Sequence, residues 1–184
     1  MRIIAGTLGG RQFNSPGTNR THPMSDKMRG ALFNILGDLD GLTVLDAFGG
    51  SGALALEAVS RGATKVIVID NDRSAQRTID DNIKLLDVSA RIDLVKASAN
   101  AWLTTNQSAT FDIVLCDPPY DNPQPELLRS LAGSLEPGGI MVISYPTSLE
   151  PLHIADLEIL KNQTYGDGQL IFYRRVIPAQ AGIQ

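Results

Sequence analysis

Val44-Leu45-Asp46-Ala47-Phe48-Gly49-Gly50-Ser51-Gly52-Ala53-Leu54 is an apolar run that reaches an acid, passes through a cluster of glycines and continues into residues that favour helix. It reads as a buried strand, a tight turn and the start of a helix. Glycines let the backbone pass close to a ligand, and the free N–H groups at a helix start point at whatever lies there. The same alternation extends outward. Thr43 to Phe48 is expected as a strand, Gly52 to Arg61 as a helix, Lys65 to Ile69 as a strand and Arg73 to Leu86 as a helix with Ile79, Ile83 and Leu86 inward. Ile92 to Val95, Phe111 to Cys116 and Ile140 to Ser144 continue the strands, with helices near Ala99 to Leu103 and Pro125 to Leu135. Short apolar strands separated by amphipathic helices imply an α/β fold, a parallel sheet covered on both faces. Leu157 to Tyr165 and Gln169 to Arg175 flank Gly166-Asp167-Gly168, which favours a closing antiparallel hairpin.

Upstream, the glycine-broken stretch Arg2 to Asn14 suits a small hairpin, and Ser15 to Pro23 is rich in turn residues. Ser25 is placed to cap a helix to Leu36 with Met28, Leu32, Phe33 and Leu36 on one side, and Gly37 to end it. The chain thus divides into residues 1–40, a hairpin and basic helix, and 41–175, the α/β domain. Residues 176–184 are expected to be a disordered tail.

The 184 residues are 43% apolar and 20% charged, as in an ordinary globular domain. The apolar runs are too short for a membrane span or a signal peptide, so a cytoplasmic protein is expected. Cys116, the single cysteine, reads as a small buried hydrophobe. The net charge of −4 is unevenly spread. Residues 1–36 carry Arg2, Arg11, Arg20, Lys27 and Arg29 against Asp26 alone, a balance of +4 that leaves −8 for the rest. A basic end on an acidic body is either a phosphate footprint or a solvated surface.

Gly50-Ser51-Gly52 fits a dinucleotide fingerprint poorly, because Ala53, Leu54 and Ala55 follow where a third glycine belongs. Two acids frame the turn instead. Asp70 ends Val66-Ile67-Val68-Ile69-Asp70 and suits both ribose hydroxyls of an adenosine, whereas Asp46 suits a cationic or zwitterionic end and would repel a pyrophosphate. The pair favours S-adenosylmethionine over a nicotinamide dinucleotide. A cap acid at Asp46 and an Asx turn at Asp70 are the plainer alternatives.

Phe111-Asp112-Ile113-Val114-Leu115-Cys116 leads into Asp117-Pro118-Pro119-Tyr120, at the carboxyl end of a strand, where ligands of such sheets sit. An exocyclic amine on a base is a poor nucleophile, its lone pair being delocalised into the ring. Asp117 can accept one N–H and the Pro118 carbonyl another, turning the lone pair toward an electrophile. Two prolines fix φ and offer no N–H, leaving a stiff set of acceptors. Such acceptors oppose developing positive charge. Tyr120 can stack on the base, worth ~1–3 kcal/mol. The simpler alternative is a Pro-Pro turn that closes a strand.

These residues together resemble the bacterial 16S rRNA guanine-N2 methyltransferases. The likeness runs from Arg2 to about Arg175. It rests on Arg2-Ile3-Ile4-Ala5-Gly6, Gly10-Arg11, Asp26-Lys27-Met28-Arg29, Ala31-Leu32-Phe33-Asn34, the glycine turn, Glu57 to Ala63, Asn82 and Asp117 to Tyr120. The resemblance implies a doubly wound, Rossmann-like class I methyltransferase with a mostly parallel seven-stranded sheet ending in an antiparallel hairpin. It implies S-adenosylmethionine held by Asp46, Phe48, Gly50, Ser51, Gly52, Asp70, Asn71, Ser98 and Ala99, with Asp117, Pro118, Pro119 and Tyr120 catalytic. Arg11, His22, Lys27 and Arg29 would face RNA. The partner would be 16S rRNA within the small ribosomal subunit, bound by a monomer with no membrane involved. The chain departs from the family at Thr21-His22-Pro23-Met24, Gly30, Asp70 and Ala97-Ser98. At the last the usual acid is replaced, leaving the Ser98 hydroxyl or backbone groups to meet the adenine. Rival functions are a DNA adenine-N6 or other amino-group methyltransferase, and a non-catalytic RNA-binding assembly factor.

Overall fold

The computed structural model describes residues 1–15 and 24–177, so the expectations for His22 and for most of the tail lie outside the described residues. In chain order the elements are α1 (Asp26–Leu36), β1 (Thr43–Asp46), α2 (Ala53–Ser60), β2 (Lys65–Asp70), α3 (Arg73–Leu86), β3 (Ile92–Lys96), α4 (Ala99–Thr105), β4 (Phe111–Cys116), α5 (Pro125–Leu131), β5 (Leu135–Pro146), β6 (Leu157–Tyr165) and β7 (Gly168–Arg175). One seven-stranded sheet runs in the order β3-β2-β1-β4-β5-β7-β6. The first five strands are mutually parallel where they pair, and β7 is antiparallel to both β5 and β6.

Strand periodicity sorts the core onto two faces. Val44, Val66, Val68, Ile113 and Leu115 face α1, α2 and α3, with Ile79, Ile83 and Leu86 inward as expected. Leu45, Ile69, Val114 and Cys116 face α4 and α5, where Trp102 and Leu128 meet them. Both faces being covered explains why the central strands are apolar throughout rather than alternating.

The described N-terminal segment belongs to this same body. Ile3 and Phe13 are buried in the first core with Met28, Leu32 and Phe33. The expected hairpin forms irregularly: besides the antiparallel bridge of Arg2 with Gln12, Ile3 N–H donates to the Arg11 carbonyl at 2.9 Å, Gly10 N–H to the Ile3 carbonyl at 2.9 Å and Phe13 N–H to the Met1 carbonyl at 3.0 Å. Its intervening backbone is held by α2: Glu57 accepts from the N–H groups of Ile4 at 2.8 Å and Ala5 at 3.1 Å, and Ser60 Oγ accepts from Leu8 N–H at 2.9 Å. Gly6 sits at φ 84°, and a Cβ there would lie 1.9 Å from the Ser60 carbonyl oxygen, so only glycine permits this approach. Ser25 caps α1 through Met28 N–H, and Gly37 closes it by bonding to the Phe33 carbonyl.

Some boundaries shift. β1 stops at Asp46 because Ala47 and Phe48 already belong to the turn, and α5 ends at Leu131 before a 3-10 turn over Ala132–Ser134. β5 begins five residues earlier than expected. Pro137, Gly138 and Gly139 look like a break in the sequence, but they form an irregularity against β4 where the register slips between Phe111 and Ile113. A Cβ on Gly139 would stand 2.9 Å from the Asp112 carbonyl oxygen. The order reverses at the β1–β4 junction, with Asp46 opposite Leu115, so the glycine turn and Asp117 leave neighbouring strands together. Such a reversal opens a crevice at the carboxyl ends.

Candidate active site

That crevice is a cavity of about 1280 Å³. Phe48, Gly50 and Ser51 form its floor, Asp70, Asn71, Ser98 and Ala99 one side, and Asp117, Pro118, Pro119 and Tyr120 the other. The rim adds residues that the sequence did not single out: Met24, Ser25 and Met28 from the start of α1, and Tyr165 and Asp167 from the closing hairpin. Ser144 on β5 also reaches it.

The glycine turn is held by its own hydrogen bonds. Gly50 N–H donates to Asp70 Oδ2 and Asp72 N–H to Asp70 Oδ1, both at 2.8 Å, so Asp70 ties β2 to the turn while it lines the cavity. Burial pushes its carboxyl up, against these two donors. Gly50 and Gly52 have φ of 56° and 79°, which side chains rarely adopt. A Cβ on Gly49 would meet Val68 Cγ2 at 2.7 Å.

Two expected cofactor contacts sit behind the cavity wall. Gly52 faces Ile79 and shapes the turn without lining the cavity. Asp46 is fully buried under the turn; one oxygen accepts from Phe48 N–H at 3.4 Å, and Oδ2 has no partner. Burial raises its carboxyl to about 7, with Asp117 and Asp70 adding repulsion. Ser98 lines the cavity, but its Oγ accepts from Ala101 N–H to cap α4, leaving its proton free to donate.

On the catalytic side, burial lifts the Asp117 carboxyl to about 6, opposed by a hydrogen bond from Ser144. Tyr120 Oη and Ser144 Oγ stand 2.9 Å apart. Ser144 therefore joins the phenol to the carboxylate. Gly168 makes room for this: its Cβ would lie 2.1 Å from Tyr120 Oη. No local pattern announces Ser144 or Gly168, because each meets the tetrapeptide only through strand pairing far along the chain.

Three expected RNA contacts separate. Arg29 is corrected outright: it is 0% exposed, bonded to the Arg2 carbonyl at 2.7 Å and to Asp26 at 2.9 Å, and it neutralises buried Glu57. Arg11 donates to the Leu85 and Leu86 carbonyls, a cation at the carboxyl end of α3. Lys27 is exposed beside Met28, a cavity residue.

A family model described as conserved hypothetical protein 95 matches residues 1–174. Over 182 residues the chain is 31% identical to YlbH of Bacillus subtilis, covering 95% of this chain and 99% of that one. Over 180 residues it is 28% identical to ribosomal RNA small subunit methyltransferase D of Haemophilus influenzae, with 95% and 92% covered. The chain belongs to this family of rRNA methyltransferases. Within the family, the solved yhhF structure from Escherichia coli superposes with a TM-score of 0.84 at 28% identity, covering 96% of this chain and 98% of that one.

The cavity fits S-adenosylmethionine, the methyl donor that the sequence pattern implies. The described lining carries Asp70, Asp72, Asp117, Asp121 and Asp167 and neither lysine nor arginine. That charge suits a sulfonium and an ammonium and disfavours a pyrophosphate. Asp70, Asn71, Gly50, Ser51, Ser98 and Ala99, which the resemblance assigns to the cofactor, all line this cavity. When bound, the cofactor supplies an electrophilic methyl carbon.

Proposed function

We propose that the chain methylates the exocyclic N2 amine of a guanine in 16S rRNA, acting on an assembled or partly assembled small ribosomal subunit. One observation carries this: the stiff acceptor edge Asp117-Pro118 and the cofactor-side turn at Gly50 and Asp70 face one cavity, large enough for a nucleoside-sized cofactor with a flipped base beside it. Asp117 and the Pro118 carbonyl take the two amine N–H groups, and the half-buried Tyr120 ring stacks on the base. Because the lining is acidic, the RNA backbone must stay outside while the base enters. Residues 1–40 form the RNA-facing rim through Met24, Ser25 and Lys27, and residues 41–175 carry the chemistry. With no separate recognition domain in the described chain, selectivity comes from the shape of the subunit.

The test is nucleoside mass spectrometry of small-subunit rRNA from cells with and without the gene. Loss of N2-methylguanosine at one position, restored by wild type but not by Asp117→Ala, is the expected result. Loss of an N6-methyladenosine instead would assign a different base. An unchanged profile would favour an assembly factor that does no chemistry.

A further inference from the structure

Tyr165 closes β6 at the cavity end of the sheet. The strand is otherwise an exposed edge: its first and last residues, Leu157 and Tyr165, are half-buried, and those between them face solvent. Tyr165 stands directly opposite Gly168 on β7, with Gly166 and Asp167 forming the turn between them. Paired positions on an antiparallel ribbon carry their Cβ atoms to the same face, about 4.5–5.5 Å apart. On that face a Cβ at Gly168 would lie 2.1 Å from Tyr120 Oη, so the Tyr165 Cβ stands within about 8 Å of the Tyr120 hydroxyl. Two tyrosines from distant stretches of chain thus converge on one part of the cavity, and both line it.

The turn that carries Tyr165 is pinned to the end of β5. Thr147 N–H and Oγ1 donate to the Asp167 carbonyl at 2.8 and 3.0 Å, and Gln169 Nε2 donates to the Pro146 and Leu149 carbonyls. The ring packs on the core beneath α1, where Met24 and Met28 pack too, and both methionines line the same cavity. Tyr120 Oη is bonded to Ser144 and Tyr173 Oη to the Leu152 carbonyl, whereas the Tyr165 hydroxyl has no hydrogen-bond partner among the described residues. Its place in the sheet says what it meets. The glycine turn, Asp70 and Ser98 follow β1, β2 and β3, on one side of Asp117, while Tyr165 lies on the other side, beyond β5 and β7. A molecule touching Tyr165 therefore reaches Asp117 from the side away from the cofactor residues. Aromatic rings and thioethers offer such a molecule flat, polarisable surface, which suits the π-face of a nucleobase and gives a phosphate nothing.

We propose that Tyr165 is a substrate-binding residue, the second aromatic surface that holds the target base beside Tyr120 while Asp117 and the Pro118 carbonyl grip its amine. This rests on the RNA reading above. Gly168 keeps the two rings on one face, since any side chain there would displace the Tyr120 hydroxyl from Ser144.

The test uses the full chain, small subunits from cells lacking the gene and labelled S-adenosylmethionine. Initial rates against subunit concentration give KM and kcat, and calorimetry with S-adenosylhomocysteine measures the cofactor side separately. Tyr165→Ala is expected to raise KM for the subunit about fivefold or more, the low end of what one lost base stack does, with S-adenosylhomocysteine bound within about twofold of wild type. Tyr165→Phe keeps the ring and loses an unpaired hydroxyl, so its KM should stay within about twofold of wild type. Tyr165→Leu keeps apolar packing on the core without a ring and should behave like Tyr165→Ala, which decides the matter even if Tyr165→Ala fails to fold. An unmoved KM in Tyr165→Leu, Tyr165→Phe as impaired as Tyr165→Leu, or S-adenosylhomocysteine affinity falling in step with the rise in KM overturns the proposal. Wild type that methylates no subunit would remove the RNA reading and this inference with it, whereas active wild type beside an unimpaired Tyr165→Leu removes the inference alone.

Discussion

Two carboxyls of different duty flank the crevice: Asp117 lines it, and Asp46 lies buried behind its wall. In the proposed reaction Asp117 holds the amine N–H as a carboxylate, so with its carboxyl at about 6 the rate constant kcat/KM should climb as pH rises through about 6 and level off above it. The Ser144 hydrogen bond favours the charged form. Ser144→Ala should therefore move the acid limb of that profile to higher pH, and a limb unmoved would show that Ser144 does not act through Asp117. Asp46 works in the opposite sense. Its carboxyl is raised from the ordinary 3.8 to about 7, so the burial penalty on folding is absent below about 3.8, grows as pH rises and is complete above about 7. Asp46→Asn should then stabilise the cofactor-free protein, by on the order of 1–3 kcal/mol at pH 8 and by little at pH 4, as thermal unfolding at the two values would show. Asp117 was legible from its tetrapeptide, but its Ser144 partner was not, since a serine inside an apolar strand carries no signal of what lies across two strands. Arg29 misled for the converse reason: charge counted along a sequence does not reveal which guanidinium is consumed by a buried Glu57.

Among the elements, α2 does two jobs, which accounts for its unusual sequence. Its N-terminus follows the glycine turn, and its far half presents Glu57 and Ser60 to the N-terminal segment. Glu57 is buried with Arg61 Nε at 2.8 Å and two backbone donors, a pairing that offsets the cost of desolvating the carboxylate. Removing one partner is costlier than the pair is worth. Glu57→Ala should destabilise the protein by about 3–5 kcal/mol in urea denaturation, because it takes the carboxylate from Arg61 and two N–H groups and one of two acidic partners from Arg29. A loss below about 1 kcal/mol would mean that the N-terminal segment is only loosely docked. Elements with strong periodicity were readable to the residue: α3 and β4 have the limits that the apolar spacing implies. β5 was not, because Pro137 and two glycines usually end a strand and here only disturb its register. The N-terminal hairpin was legible from its glycines, but its docking was not, since Glu57 and Ser60, which hold its turn, lie some fifty residues away.

At the scale of the whole molecule, a chain of net charge −4 must engage a polyanion through a cavity lined with aspartates. Phosphate attraction cannot then be the main source of affinity, since of the arginines expected to face RNA Arg29 is buried and Arg11 is bonded to the carboxyl end of α3. Shape and base insertion must supply more of it. Counterion release makes this measurable, because each phosphate contact steepens the fall of log K with log salt by ~0.7–0.9. Binding to undermethylated subunits should show a shallow slope, about −3 or less in magnitude, and Lys27→Ala should reduce it by about one further contact's worth without altering kcat at saturating subunit. Arg29→Ala should instead lower the unfolding temperature and leave the slope unchanged. A steep slope, near that of a protein gripping six or more phosphates, would mean that the rim carries far more positive charge toward RNA than Lys27 provides, and recognition would have to be assigned to the backbone rather than to subunit shape.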